Sequence, residues 1–119
     1  MTWWGSELTL DCGKCDPLLI KDAEHIKAFA RDLVVAIDMK AFGDPIVIHF
    51  GTEDKMGYTL VQLIETSNIT AHFSEDTGSA FINVFSCRTF DKQVVSKVVL
   101  KYFKPRLITM KMTDRLIPI

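Results

Sequence analysis

Four side chains that can act as nucleophiles or carry protons lie within one stretch of apolar, strand-like segments: Thr59, Ser67, His72 and Cys87. A hydroxyl or thiol can attack a carbonyl carbon, and an imidazole can accept or return the proton that such an attack moves. Each of these residue types is also common in purely structural positions. Their mutual placement therefore decides between a catalytic and a structural interpretation.

The register of two predicted hairpins brings these side chains together in pairs. The position of a hairpin turn fixes which residues of its two strands lie opposite each other. A turn within the segment SEDTGS places Ser67 near Ser86 and Cys87. A turn at the segment TS places Thr59 close to His72 or to the residue after it. The sequence thus predicts two polar pairs, Ser67 with Cys87 and Thr59 with His72.

The two predicted pairs cannot meet within one extended strand. Ser67 and His72 are separated along it by on the order of 16 Å, at a rise of about 3.3 Å per residue. An isologous interface lets each of two protomers contribute a different pair to each of two sites. We therefore expect a homodimer with shared sites.

The surrounding segments show strand and helix patterns in a definite order. Apolar residues recur at helical spacing over residues 17–41 and 91–104, and Asp16-Pro17 is a typical start for the first helix. Short apolar runs between turn-forming residues predict six strands. These runs are residues 7–10, 45–50, 58–65, 69–73, 80–85 and 107–112.

The order β-α-β-β-β-β-α-β predicts an α+β fold, a two-layer sandwich of a largely antiparallel sheet with two helices on one face. The opposite face would then be free to hold a partner sheet or a substrate. With 119 residues, of which 48% are hydrophobic and 24% charged, we expect one domain over residues 1–119.

Charge and hydropathy exclude some classes of partner. A formal net charge of −1 provides no broad positive field for a nucleic-acid backbone. No apolar run approaches the roughly 20 residues that span a bilayer, and the N-terminus lacks the pattern of a secretion signal. The sequence favours a cytoplasmic protein with a small polar substrate or a protein partner and without a membrane.

The three cysteines do not predict a disulfide framework. Cys12, Cys15 and Cys87 are an odd number, and no secretion signal precedes them. The Cys12–Cys15 spacing also occurs in dithiol redox sites and in half of a zinc site. Asp16-Pro17 starts the helix only after this motif, and no second cysteine or histidine pair completes a metal set. A strand-to-helix connection without a metal is the favoured interpretation.

Residues 63–72, LIETSNITAH, and 81–87, FINVFSC, resemble the processing segment of the short bacterial and archaeal S-adenosylmethionine decarboxylases. That family reads ESHLTIH, followed by an apolar strand that ends FTC, with the same spacing. Gly57 and Thr59 match a Gly-x-Ser in the preceding strand of the family. The opening segment, from Trp4-Gly5 through Cys15-Asp16, resembles the family's first strand and its Cys-Asp, so that the resemblance covers nearly the whole chain.

The resemblance implies a role for each residue of the predicted pairs. Ser67 matches the serine that attacks the preceding carbonyl, here that of Thr66, so that the chain divides between these two residues. Cys87 matches the thiol that returns a proton to the substrate carbon. His72 matches the residue that assists self-cleavage, and Thr59 stands where the family has a second, assisting serine.

The resemblance further implies a pyruvoyl group made from Ser67 and no external cofactor. A pyruvoyl ketone can form a Schiff base with the amine of a substrate that carries an α-amino acid group, and it accepts the electrons released when carbon dioxide leaves. The implied activity is that of a carboxy-lyase of polyamine biosynthesis.

Departures from the family pattern leave alternatives for the substrate and the activity. Thr66 and Asn68 replace the family's Glu and His on either side of the serine, and FSED stands after His72 where the family has TWPE. The resemblance then leaves Asp76, with Asp11 and Glu7 of the first strand, as candidate substrate-binding carboxylates. The same chemistry on ornithine or arginine, and an uncleaved binding or regulatory homologue, are the alternatives.

Overall fold

Six strands and three helices make up the chain, and the computed structural model describes all residues 1–119. The strands are β1 (Thr2–Gly13), β2 (Ile46–Phe50), β3 (Gly57–Ile64), β4 (Ser67–Ser74), β5 (Ser79–Ser86) and β6 (Leu107–Ile117). The helices are α1 (Pro17–Ile20), α2 (Ala23–Ala36) and α3 (Lys92–Phe103), and a single 3-10 turn covers Glu53–Lys55. None of the three helices has the length and hydrophobicity that a membrane-spanning helix requires.

The strands form one sheet in the order β2-β3-β4-β5-β1-β6, and every neighbouring pair is antiparallel. The strands β2 to β5 form a meander of consecutive hairpins, and β1 inserts between β5 and β6. The predicted order of strands and the antiparallel sheet are confirmed. The long β1–β6 ladder extends both strands beyond their predicted bounds, because pairing supplies hydrogen bonds that local propensity does not reveal.

The predicted single helix over residues 17–41 is wrong in its bounds. The carboxylate of Asp16 accepts a hydrogen bond from the Leu18 amide at 3.0 Å and caps α1. Asp22 accepts one from the His25 amide at 3.2 Å and caps α2. An aspartate that accepts from the backbone two or three residues ahead favours a helix start over a helix interior. Asp22 therefore divides the predicted helix into two.

The hydrophobic core lies between the helices and one face of the sheet. The strands β4 and β5 alternate between buried and less buried residues, as expected when only one face is covered. Phe29 of α2, Phe103 of α3 and Phe73 of β4 pack together, with ring centroids 4.8 and 4.9 Å from that of Phe103. The predicted two-layer α+β architecture is confirmed, with α1 as an additional short helix.

The other side of the sheet, which we call the open face, has no covering layer. It carries the alternate residues of each strand, among which large apolar side chains remain exposed. Ile48 and Phe50 of β2 are each 55% exposed, and Phe81 of β5 is 48% exposed. An apolar sheet face of this kind on a single chain marks a surface for a partner or a ligand.

Candidate active site

A two-residue turn joins β3 to β4 and places Ser67 at the first position of its strand. Ile64 lies opposite Ser67, so that Glu65 and Thr66 form the turn. Thr66 has a φ of 64°, in the left-handed region that β-branched residues rarely occupy. Such a conformation costs on the order of 1–3 kcal/mol. The peptide bond between Thr66 and Ser67 therefore follows a strained residue.

Ser67 is held on the helix side of the sheet. Its side chain is buried, and its hydroxyl donates a hydrogen bond to Oγ of Ser86 at 2.9 Å. Ser86 is the directly opposed residue on β5, so that both side chains point to the same face. Sequence reasoning placed Ser86 near Ser67 but gave it no role. The paired register was the signal that could have identified it.

Cys87 does not contact Ser67 through its thiol, so the predicted Ser67–Cys87 pair is displaced by one residue. The Cys87 thiol instead donates to Oγ1 of Thr66 at 2.9 Å. Successive residues of a strand point to opposite faces, so that Ser86 and Cys87 cannot both face Ser67. The thiol thus lies beside the turn residue that precedes Ser67.

The second predicted pair forms as expected. Thr59 of β3 and His72 of β4 are directly opposed, and Oγ1 of Thr59 lies 2.9 Å from Nδ1 of His72. This contact leaves Nε2 of His72 without a partner in the chain. Within one chain, the His72 ring lies on the open face and the Ser67 hydroxyl on the helix face. The two side chains therefore cannot touch each other.

Two cavities lie beside His72 on the open face. One has a volume of about 190 Å³ and is lined by Asp76 and Phe81, among others. The other has a volume of about 240 Å³ and is lined by Thr59 and Phe81. Phe81 is opposed both to His72 and to Asp11 of β1. Asp76 and Asp11 thus lie at the same end of the open face as His72.

Glu7 lies at the opposite end of the open face from Asp11. It is opposed to Phe85 on β5, and its carboxylate lies 3.3 Å from the Arg115 guanidinium. Trp4 stacks on Phe85, with ring centroids 5.8 Å apart and planes 8° from parallel. The open face therefore has two ends, a histidine end around His72 and an aromatic end beside Glu7.

Comparisons with known proteins identify the family of the chain. The family model described as S-adenosylmethionine decarboxylase matches residues 6–116. The chain belongs to the S-adenosylmethionine decarboxylase family. Members of this family are pyruvoyl-dependent carboxy-lyases that serve polyamine biosynthesis. The resemblance carried by residues 63–72 and 81–87 is thereby confirmed.

Two relatives of the family show how far the likeness extends. An S-adenosylmethionine decarboxylase proenzyme from Thermodesulfovibrio yellowstonii is 26% identical over 111 residues, which are 90% of this chain and 79% of that protein. The crystal structure of the adenosylmethionine decarboxylase from Aquifex aeolicus superposes with a TM-score of 0.83 at 19% identity. That match covers 99% of this chain and 95% of the other, so that the fold is common to both.

The residues around Ser67 fit the precursor of the family's pyruvoyl group. Ser67 supplies the hydroxyl that this group requires, and it directly follows the strained residue Thr66. The thiol of Cys87 lies beside the same turn. An alanine or valine in place of Ser67 could not supply the group, because both lack an oxygen on Cβ.

The other two cysteines lie away from this site and are not reactive groups. Burial raises the pKa of Cys12 to about 12 and that of Cys15 to about 11. The Cys15 amide donates to the Gly78 carbonyl at 2.8 Å, which ties the strand-to-helix connection to the β4–β5 turn. Thiols held protonated by burial are poor nucleophiles and poor metal ligands. They act as part of the core.

Proposed function

We propose that this chain is a self-processing decarboxylase that acts on S-adenosylmethionine through a pyruvoyl group made from Ser67. The observation that carries the proposal is the junction of Thr66 and Ser67 in a chain of this family. The serine hydroxyl there belongs to the first residue of β4, and the residue before it has a left-handed backbone conformation. We infer that relief of the backbone strain at Thr66 lowers the barrier to rearrangement of the bond that follows it.

Self-cleavage takes place in three steps: an acyl shift, an elimination and a hydrolysis. Oγ of Ser67 attacks the carbonyl carbon of Thr66, the peptide C–N bond breaks, and an ester forms while the serine nitrogen gains a proton. Loss of the Cα proton and of the Cβ–O bond then releases residues 1–66 with a terminal carboxylate. Water adds to the remaining dehydroalanine and ammonia leaves, which yields the pyruvoyl group at residue 67. This group withdraws electrons from the substrate during decarboxylation.

The chain's own residues move the protons in this scheme. His72 is the proposed base or acid of self-cleavage, because Thr59 fixes its Nδ1 and leaves Nε2 free. Cys87 is the proposed proton donor to the substrate carbon after carbon dioxide leaves. Its thiol lies beside the turn at which the pyruvoyl group would form.

The open face offers two kinds of contact for such a substrate. The carboxylates of Asp76, Asp11 and Glu7 are proposed to bind its amine and hydroxyl groups, at the two ends of the face. Trp4 is 48% exposed and presents an aromatic surface next to Glu7. An aromatic face attracts both a planar base and a sulfonium cation.

We further propose that the active form is a homodimer whose open faces oppose each other. Ile48 and Phe50 supply apolar area for such an interface. His72 lies at one end of the open face, and the Thr66–Ser67 junction and Cys87 lie at the opposite end of the sheet, beside the aromatic end. A two-fold axis brings the histidine end of one protomer to the Thr66–Ser67 junction of the other. We place the enzyme in the cytoplasm, where its three free cysteines stay reduced.

The test follows the purified chain on a denaturing gel and by mass spectrometry. Wild type should separate into residues 1–66 and 67–119, the second carrying a ketone that reacts with hydrazines. Ser67→Ala should stay intact, and Ser79→Ala, a matched serine in the other hairpin, should cleave normally. An intact wild type would favour a binding homologue and refute the proposal. Carbon dioxide release from S-adenosylmethionine, ornithine and arginine then identifies the substrate. Release from ornithine or arginine but not from S-adenosylmethionine would overturn the proposed substrate.

A further inference from the structure

Ser86 is a buried hydroxyl that the proposed reaction does not yet use. Its side chain is fully buried, and it lies opposite Ser67 on one side and Ser6 on the other. Burying a hydroxyl is unfavourable unless it is hydrogen-bonded, and an alanine would fill this position without that cost. A serine is therefore favoured at this position only through the hydrogen bonds that it makes.

All the hydrogen-bonding capacity of Ser86 is in use. A serine hydroxyl has one proton to donate and two lone pairs that accept. Oγ of Ser86 accepts from the Ser67 hydroxyl at 2.9 Å and from the Arg88 amide at 2.9 Å. Its own hydroxyl donates to Sδ of Met39, with 3.6 Å between Oγ and Sδ. The position and the orientation of the Ser86 hydroxyl are thus both fixed.

This arrangement determines the orientation of the Ser67 hydroxyl. A serine side chain has three staggered rotamers, and the bond to Ser86 selects one of them. With its proton directed at Ser86, Oγ of Ser67 keeps its lone pairs for other contacts. An attack on the Thr66 carbonyl carbon requires such a lone pair.

We propose that Ser86 is a positioning residue for self-cleavage, which holds Oγ of Ser67 in the rotamer that attacks the Thr66 carbonyl. The inference rests on the proposed function. Ser86 neither gains nor loses a proton in this role, because its hydroxyl donates to the thioether of Met39, which is not a base. Its effect ends when the Ser67 oxygen leaves with residues 1–66, and it should therefore influence the formation of the active chain but not its turnover.

The experiment measures self-cleavage and turnover separately in Ser86→Ala. Loss of the fixed rotamer should slow cleavage of the folded precursor by about 10- to 100-fold, the usual effect of misplacing a reacting group. Activity per processed chain should stay at the wild-type value. Ser86→Thr keeps the hydroxyl and should restore the cleavage rate. Ser6→Ala removes a neighbouring hydroxyl that does not contact Ser67 and should cleave like wild type.

Several outcomes would overturn the inference while leaving the proposed function intact. These are wild-type or faster cleavage in Ser86→Ala, a failure of Ser86→Thr to rescue, or an equal loss of cleavage and of turnover per processed chain. If circular dichroism shows that Ser86→Ala is unfolded, Ser86→Cys replaces it in the experiment. A thiol is a weaker hydrogen-bond acceptor than a hydroxyl, so this variant should also slow cleavage. A wild type that never cleaves would instead refute the proposed function itself.

Discussion

Oγ1 of Thr66 accepts a hydrogen bond from the thiol of Cys87 at 2.9 Å, across the turn that precedes Ser67. The proposed proton donor is thus occupied by the residue that self-cleavage would leave at the end of residues 1–66. After cleavage the two residues belong to different chains, and Thr66 can withdraw. The uncleaved chain therefore holds this thiol in a hydrogen bond to Thr66, and we expect the proposed cleavage to free it.

Cys87→Ala should process normally but decarboxylate slowly. The thiol enters the proposed reaction only after carbon dioxide leaves, and loss of a general acid typically slows turnover by about 10²–10⁴-fold. Gel analysis measures processing, and carbon dioxide release per ketone-bearing chain measures turnover. Unchanged turnover in a fully processed Cys87→Ala variant would return this residue to a structural role.

Thr59→Val should slow self-cleavage by about 3- to 10-fold, the kinetic equivalent of one neutral hydrogen bond. Valine keeps the shape of threonine and removes only the hydroxyl that fixes Nδ1 of His72. Thr59→Ser is the matched control, since it retains the hydroxyl and should cleave at nearly the wild-type rate. Equal rates for the valine and serine variants would mean that this contact does not orient His72.

The sequence predicted the Thr59–His72 pair because the register of a hairpin depends only on its turn. The same reasoning missed the partner of Ser67 by one residue. The register of the β4–β5 hairpin was correct, with Ser86 opposite Ser67, but the predicted partner was the next residue, Cys87, and successive residues of a strand point to opposite faces. A hydrogen bond between two side chains depends on the sheet face to which each points as well as on the distance between them. A strand pattern alone does not determine whether both conditions are met.

The fold could be predicted more fully than the bounds of its elements. Alternating apolar residues determined the strands β3 to β5, and helical spacing determined α3. The break between α1 and α2 was missed because an aspartate such as Asp22 is tolerated inside a helix as well as at its start. The early start of β1 depends on pairing with β6, more than a hundred residues away in the chain.

Cys87 should be the one cysteine that a thiol reagent modifies in the folded chain. Burial raises the pKa of Cys12 to about 12 and of Cys15 to about 11, so both stay protonated in the native state at pH 9. Ellman's reagent should therefore label one thiol at pH 7 to 9, and three after unfolding. Cys87→Ser should abolish the native labelling. Labelling of two or three thiols in the native state would contradict the buried placement.

The same two pKa values predict a loss of stability in alkali. In the unfolded chain these thiols ionise near a pKa of about 8.5. Their raised native pKa values favour the folded state fully below that pH, and the advantage is lost as the pH rises toward 11 to 12. The free energy of unfolding in urea should fall between pH 8.5 and 10. Cys12→Val should show a shallower decline, and an equal slope would contradict the assignment.

Phe50→Glu should convert the proposed dimer into a monomer. The side chain is 55% exposed in the single chain, so the substitution should not disturb the core. A charge on an apolar interface is unfavourable, because it loses water without gaining a partner. Leu18→Glu is the control, since Leu18 is 79% exposed on α1, away from the open face. Sedimentation at one protein concentration should give a monomer for the first variant and a dimer for the second.

A mixed dimer tests whether the two protomers share their sites. Ser67→Ala chains and His72→Ala chains should each fail to form the pyruvoyl group alone. Co-expressed, they should form dimers in which one site lacks both residues and the other has both, Ser67 from one protomer and His72 from its partner. Ketone formation should then partly recover, and only on the chain that carries Ser67.

The expected recovery depends on the geometry within each chain. The His72 ring and the Ser67 hydroxyl lie on opposite faces of β4, on the order of 16 Å apart along the strand. His72 can therefore act only on a Thr66–Ser67 junction that approaches it across the open face. That junction belongs to the partner protomer. The two chains carry different affinity tags, so that tandem purification isolates the mixed dimer. Absence of ketone in that purified mixed dimer would show that His72 has no role across the interface.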